Sequence, residues 1–151
     1  LSAHEAVTLA SIVEKETAEP GEYTLVASVY KNRLDRGMRL QADPTVIYGI
    51  PDFDGNLTRR HLRTPTPYNT YTRGGLPPGP IANPGKKALA AALTPPKSPY
   101  LYFVAKPTGG HHFSRTLHEH KQAVYKYQLN RGPRRLKSAN RPRQPEEREG
   151  K

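Results

Sequence analysis

The sequence predicts an α+β domain, mainly helical, with one small β-hairpin and a long Pro/Gly-rich loop lining a cleft. Three observations carry this. Capping-box signatures, Ser2 with Glu5 and Thr116 with Glu119, open the first and last helical patterns. An aromatic and β-branched run at 100–105 meets a Thr108-Gly109-Gly110 turn and returns through His112-Phe113, which reads as strand–turn–strand. Between 51 and 80 helical periodicity lapses, and Pro65, Pro67, Pro77, Pro78 and Pro80 alternate with Gly74, Gly75 and Gly79.

Taken in order, the first helix carries an apolar stripe of Leu9, Ile12 and Val13, and one further step of three or four residues reaches Glu16. Pro20-Gly21 stops it. A second helix is predicted over 22–36, with Val26, Val29, Tyr30 and Leu34 inward and Gly37 ending it. Asp43-Pro44 reads as an N-cap followed by proline in the first turn, opening a short helix through Tyr48. Tyr68 and Tyr71 argue that the following Pro/Gly-rich stretch is ordered, since long connections are either functional or disordered and aromatics oppose disorder. Asn83-Pro84 repeats the cap-and-proline pattern before an Ala/Leu-rich helix to about Thr94. The last helix runs from Thr116 to about Asn130.

With 151 residues the chain suits one domain. Its net charge of +11 first suggests an anionic partner, but residues 131–151 alone hold +5 with almost no apolar side chain. Such a tail cannot bury enough surface to fold, so the domain is expected over 1–130 with a basic, disordered tail over 131–151. No nucleic-acid partner is expected, because much of the excess charge lies in that tail. The absence of cysteine excludes disulfides, thiolate metal sites and a cysteine nucleophile. No apolar run approaches the roughly 20 residues that cross a bilayer, and no signal peptide opens the chain. A helix that begins almost at residue 1 is what a piece of a longer protein would show.

Glu16 is the most informative residue. At the C-terminal end of an apolar stripe, burial and the negative end of the helix dipole both disfavour its charge, which suits a general acid. The competing reading is a carboxylate that caps the stripe at the surface or pairs with a basic side chain. Glu14, two residues earlier, points about 160° away and is expected to hold a neighbouring loop or an arginine. Glu19 and Glu22 read as solvated turn residues. Gln41 is a candidate to face the cleft, while the capping role occupies the Asp43 carboxylate. The 68–71 stretch combines amide, hydroxyl and aromatic groups, which suits either sugar recognition or the fixing of an irregular loop by buried side chains. The six histidines show no metal-ligand spacing, and neither glycine pair has the strand–helix context of a phosphate cradle. No metal and no cofactor are expected.

Seven stretches in one order carry a resemblance: 10–17 (ASIVEKET), 26–34 (VASVYKNRL), 38–49 (MRLQADPTVIYG), 64–71 (TPTPYNTY), 75–81 (GLPPGPI), 99–105 (PYLYFVA) and 109–113 (GGHHF). Together they resemble the catalytic domain of the YceG-like family, the endolytic murein transglycosylases of type MltG. The resemblance covers about 6–130 and implies a lysozyme-like catalytic domain that cuts the MurNAc-β-1,4-GlcNAc bond of peptidoglycan and leaves 1,6-anhydroMurNAc ends. It implies Glu16 as general acid and base, and Gln41, Asp43, Asn69, Tyr71 and His111 as substrate-contacting candidates, with Glu14 structural beside the site. It also implies peptidoglycan glycan strands and cell-wall synthesis proteins as partners, and a location at the outer face of the cytoplasmic membrane or in the periplasm. The family's usual N-terminal anchor and LysM-like domain have no counterpart in this sequence. The alternative of another class is a non-catalytic peptidoglycan-binding module. The label aminodeoxychorismate lyase, sometimes attached to the family, would need a pyridoxal-phosphate lysine and a phosphate site, and no motif here supplies them.

Overall fold

The computed structural model describes residues 1–129; the expected tail at 131–151 lies outside the described residues. Helix α1 (Ala3–Glu16) is the central element. Its capping box is complete: the Ser2 hydroxyl accepts from Glu5 N–H at 3.1 Å, and Ser2 N–H donates to the Glu5 carboxylate at 2.8 Å. Beyond the predicted stripe, Ala6, Thr8, Ala10 and Ser11 are buried as well, because α2 (Tyr23–Asp35), α3 (Asp43–Tyr48) and α5 (Lys86–Leu93) all pack on it. A helix enclosed on several faces is apolar nearly all round. Its two small hydroxyls stay satisfied: Ser11 donates to Thr8 C=O at 2.7 Å and accepts from Ile81 N–H at 3.0 Å, which fastens the Pro/Gly-rich loop to the helix.

Helix α2 ends in a left-handed Gly37 (φ 71°). Met38 N–H reaches Arg33 C=O at 2.8 Å and Gly37 N–H reaches Leu34 C=O at 3.2 Å, the Schellman pattern that glycine permits. Arg33 is buried on the same helix. Its Nε donates to Leu101 C=O and its Nη1 to Arg39 C=O, both at 2.7 Å, and its guanidinium lies 4.9 Å from the Tyr102 ring. Asn32 beside it donates to Ser98 C=O and Tyr100 C=O. Helix α2 therefore braces the approach to the hairpin and the turn before α3.

Strands β1 (Tyr102–Ala105) and β2 (His111–Ser114) pair antiparallel with Phe103 opposite Phe113. Phe103 enters the main core edge-on to Tyr30, while Val104 turns to the other side to pack with Ala123 and Val124 of α6 (Leu117–Val124). A π-helical turn, Tyr125–Leu129, follows α6. None of the described helices is long and apolar enough to cross a membrane.

Three capping expectations are corrected. Asp43 is the first residue of α3 rather than its cap; Ala42 occupies the cap position, and the Asp43 carboxylate is taken up by a tertiary partner. Helix α5 starts at Lys86 with Gly85 as cap, so Asn83-Pro84 is loop; Gly85 N–H is claimed by the Glu14 carboxylate. At α6 the Thr116 hydroxyl caps Glu119 N–H, but the Glu119 carboxylate turns back to Arg115 N–H instead of completing the box.

Arg33→Met should lower stability by about 2–4 kcal/mol, because the buried Leu101 carbonyl and the part-buried Arg39 carbonyl lose their donor. Lys31→Ala, which removes the exposed Lys31–Asp35 pair, should change it by less than about 0.5 kcal/mol. Urea unfolding of both variants checks the contrast.

Candidate active site

Glu16 is the last residue of α1 and is only 8 % exposed. The buried Tyr30 hydroxyl of α2 donates to its Oε1 at 2.9 Å. A second phenol–carboxylate pair lies in the same polar cluster: the Tyr71 hydroxyl donates to Asp43 Oδ1 at 2.6 Å, with both residues buried. Burial, followed by the Glu16 charge, pushes the Tyr30 phenol well above its ordinary ionisation range, and the Asp43 charge adds to this. Arg33 acts on Tyr30 in the opposite sense. The cluster is thus two carboxylates, two phenols and one buried guanidinium. Burial pushes the Arg33 pKa below its usual value, partly countered by Tyr102, Tyr30 and Tyr71.

The loop holds this arrangement by its backbone. Asn69 is fully buried, and its amide donates to the carbonyls of His61, Leu62 and Thr64 while its oxygen accepts from Tyr71 N–H at 2.8 Å. In this conformation it offers no surface to a sugar; it anchors the loop to helix α4 (Arg59–Arg63). Thr70 accepts from Ala42 N–H at 2.8 Å and shares a 2.8 Å bond with Thr45, while its carbonyl accepts from Gln41 N–H at 3.2 Å. Those contacts tie Gln41 between buried Leu40 and Ala42 in a left-handed conformation (φ 51°). A non-glycine residue held there is strained, and such strain clusters at functional sites.

His111 is held by Glu22 and packs against the aromatic core. Its Nδ1 lies 2.7 Å from Glu22 Oε1, its backbone N–H donates to Glu22 Oε2 at 2.7 Å, and its ring meets Phe103 edge-on. Glu22 is therefore a tertiary anchor for the hairpin, not the solvated turn residue expected from its place beside Pro20-Gly21. Gly110 makes room for it: with φ at 73°, a Cβ there would lie 2.8 Å from Glu22 Oε2. Glu14 faces elsewhere than Glu16, accepting from Gly85 N–H at 2.8 Å and from the Tyr23 hydroxyl at 3.0 Å.

The sequence places Tyr30 on the inward face of the second helix and singles out neither its hydroxyl nor Arg33. A tyrosine on a buried helix face needs a partner for its hydroxyl. That rule could have flagged Tyr30, with the two nearby carboxylates of α1 as candidates. An open groove of about 580 Å³ lies elsewhere, between β2 and α6, lined by His112, Phe113, Gln122 and Tyr127 among others. None of the carboxylate cluster lines it. Among the described residues no group of three or more His, Asp or Glu side chains is gathered as a metal site.

The sequence profile of the YceG-like family matches residues 1–126. The chain belongs to the YceG-like family. The YceG-like chain is 45% identical over 127 residues to the endolytic murein transglycosylase of Bacillus subtilis, covering 84% of this chain and 35% of that protein. It is 34% identical over 130 residues to the protein of the same name from Streptococcus pneumoniae, covering 82% and 24%. A crystal structure of a YceG-like protein from Listeria monocytogenes superposes with a TM-score of 0.77 at 48% identity, over 82% of this chain and 40% of that one. The YceG-like chain thus spans about a quarter to two fifths of the length of these relatives.

Asn69→Ala should cost about 2–4 kcal/mol, since the Leu62 and Thr64 carbonyls and Tyr71 N–H lose their Asn69 partner together and the His61 carbonyl keeps only Thr64 N–H. Chemical denaturation gives the loss, and near-ultraviolet circular dichroism should report loosened tyrosines from the same loop.

Proposed function

We propose that this chain is the catalytic part of an endolytic peptidoglycan lytic transglycosylase with Glu16 as its acid and base. The observation that carries the reading is the placement of Glu16: a carboxyl buried at the C-terminal turn of an apolar helix and bonded by the Tyr30 hydroxyl. The names of the Bacillus and Streptococcus relatives support the same activity.

That placement supports the following reaction. Burial and the helix C-terminus favour the neutral carboxyl, which can give its proton to the glycosidic oxygen. As the bond between muramoyl C1 and that oxygen breaks, C1 takes on oxocarbenium character beside the newly formed carboxylate. Glu16 then removes the proton of the muramoyl C6 hydroxyl, whose oxygen bonds to C1. The products are a GlcNAc hydroxyl and a 1,6-anhydroMurNAc end. No water is consumed, and Glu16 returns to its starting form. Gln41, Asp43, Tyr71 and His111 are proposed to line the sugar path, with Asn69 and Glu14 supporting it from beneath. The substrate would place the protein at the outer face of the cytoplasmic membrane or in the periplasm, where cell-wall synthesis proteins work on the same strands.

Glu16→Gln should abolish anhydromuropeptide release from purified sacculi, a loss of at least about a hundredfold, while leaving glycan binding within a few-fold. Mass spectrometry reads the product, because anhydro and reducing ends differ by one water. Wild-type chain that binds sacculi yet releases no anhydro ends would instead favour a binding module.

A further inference from the structure

We infer that Tyr30 is a positioning residue for Glu16: it holds Oε1 as an acceptor and so directs the transferable proton to Oε2. The inference deepens the proposed function and rests on Glu16 being the acid and base. Among the described residues the Tyr30 hydroxyl has one hydrogen-bond partner, Glu16 Oε1, and the side chain is fully buried. Were the Glu16 proton on Oε1, the phenol O–H would face a hydroxyl oxygen, a poorer acceptor than the unprotonated oxygen, where no solvent reaches it, and a weakened buried hydrogen bond is costly. The proton is therefore kept on the other oxygen through each cycle of giving and taking.

The surroundings keep Tyr30 a donor. Burial and the neighbouring carboxylates push its own ionisation far above the working range. Besides Glu16, the charges of Asp43 from α3 and Arg33 from α2 act on Tyr30, while Tyr71 from the loop donates to Asp43 and acts on Arg33. Helix α5 contributes Ala88, Ala91 and Ala92 to the shared core and no charge, and Glu14 is turned toward Gly85. A hydrogen bond to the anion favours the anion. Losing the Tyr30 hydroxyl must then make Glu16 a weaker acid.

Nature supplies a matched control in the same two helices. Tyr23 of α2 also donates to a carboxylate of α1, Glu14, at 3.0 Å. With ¹³C-labelled glutamate, the Glu16 carboxyl signal is assigned by its absence from Glu16→Gln and titrated in the full chain. In Tyr30→Phe its midpoint should rise by about one pH unit. The alkaline limb of kcat/KM on sacculi should move the same way, with kcat falling about tenfold and KM changing less than about twofold. Tyr23→Phe should leave both midpoint and limb in place. If Tyr30→Phe does not fold, 3-fluorotyrosine at position 30, a stronger donor of nearly the same size, should move the midpoint down instead. A Glu16 midpoint unmoved by the position-30 replacement, or moved equally by Tyr23→Phe, overturns the inference. Retained activity in Glu16→Gln would overturn the acid–base reading, while the titration would still decide what Tyr30 holds.

Discussion

A carboxylate driven into an apolar interior at the end of a helix requires a donor, and much of the buried polar structure here answers that requirement. Glu16 continues the Leu9, Ile12 and Val13 stripe, so packing α1 against α2 and α3 carries its carboxyl inward with them. The donor comes from Tyr30 across the α1–α2 contact, and Tyr30 is fixed in turn by its edge-on packing against Phe103 of the hairpin. Each partner lies far from the others in sequence, which makes the site a product of tertiary packing.

The second pair, Tyr71 on Asp43, depends on a loop with no regular hydrogen-bond ladder. That loop is ordered by substitutes. Asn69 supplies four hydrogen bonds to backbone groups, Thr70 ties down the 41–45 turn, and Ser11 and His4 fasten Ile81 N–H and Pro78 C=O to α1. Arg33 links both halves, bonding Leu101 C=O at the hairpin and Arg39 C=O before Gln41. Removing backbone donors with proline makes such side-chain clamps necessary, since buried carbonyls and amides still need partners.

Elements whose signals are local were legible in the sequence. The Ser2–Glu5 box, the Gly37 terminus and the 102–114 hairpin rest on residues a few positions apart, and the structure contains all three. The caps at Asp43 and Asn83 failed for different reasons: the Asp43 carboxylate serves the remote Tyr71 hydroxyl, and α5 begins only at Lys86, where the remote Glu14 takes Gly85 N–H. Glu16 could be singled out because its signal is also local, a carboxylate where the stripe calls for an apolar residue. Arg33 and the Glu22–His111 contact could not, because their meaning comes from partners as much as 89 residues away. The sum of charges was the least informative feature, since only +6 of the +11 belongs to residues 1–130. That remainder suits a polymer bearing peptide carboxylates.

The central claim is that substrate chemistry happens at the Tyr30-held carboxyl of Glu16 and not in the groove between β2 and α6. A crystal structure of Glu16→Gln with a bound peptidoglycan oligosaccharide tests it most directly. The account predicts a MurNAc–GlcNAc glycosidic oxygen within about 2.6–3.2 Å of the residue-16 side chain, with the sugars passing Gln41. Oligosaccharide seated against His112, Phe113 and Tyr127, out of reach of residue 16, would contradict it.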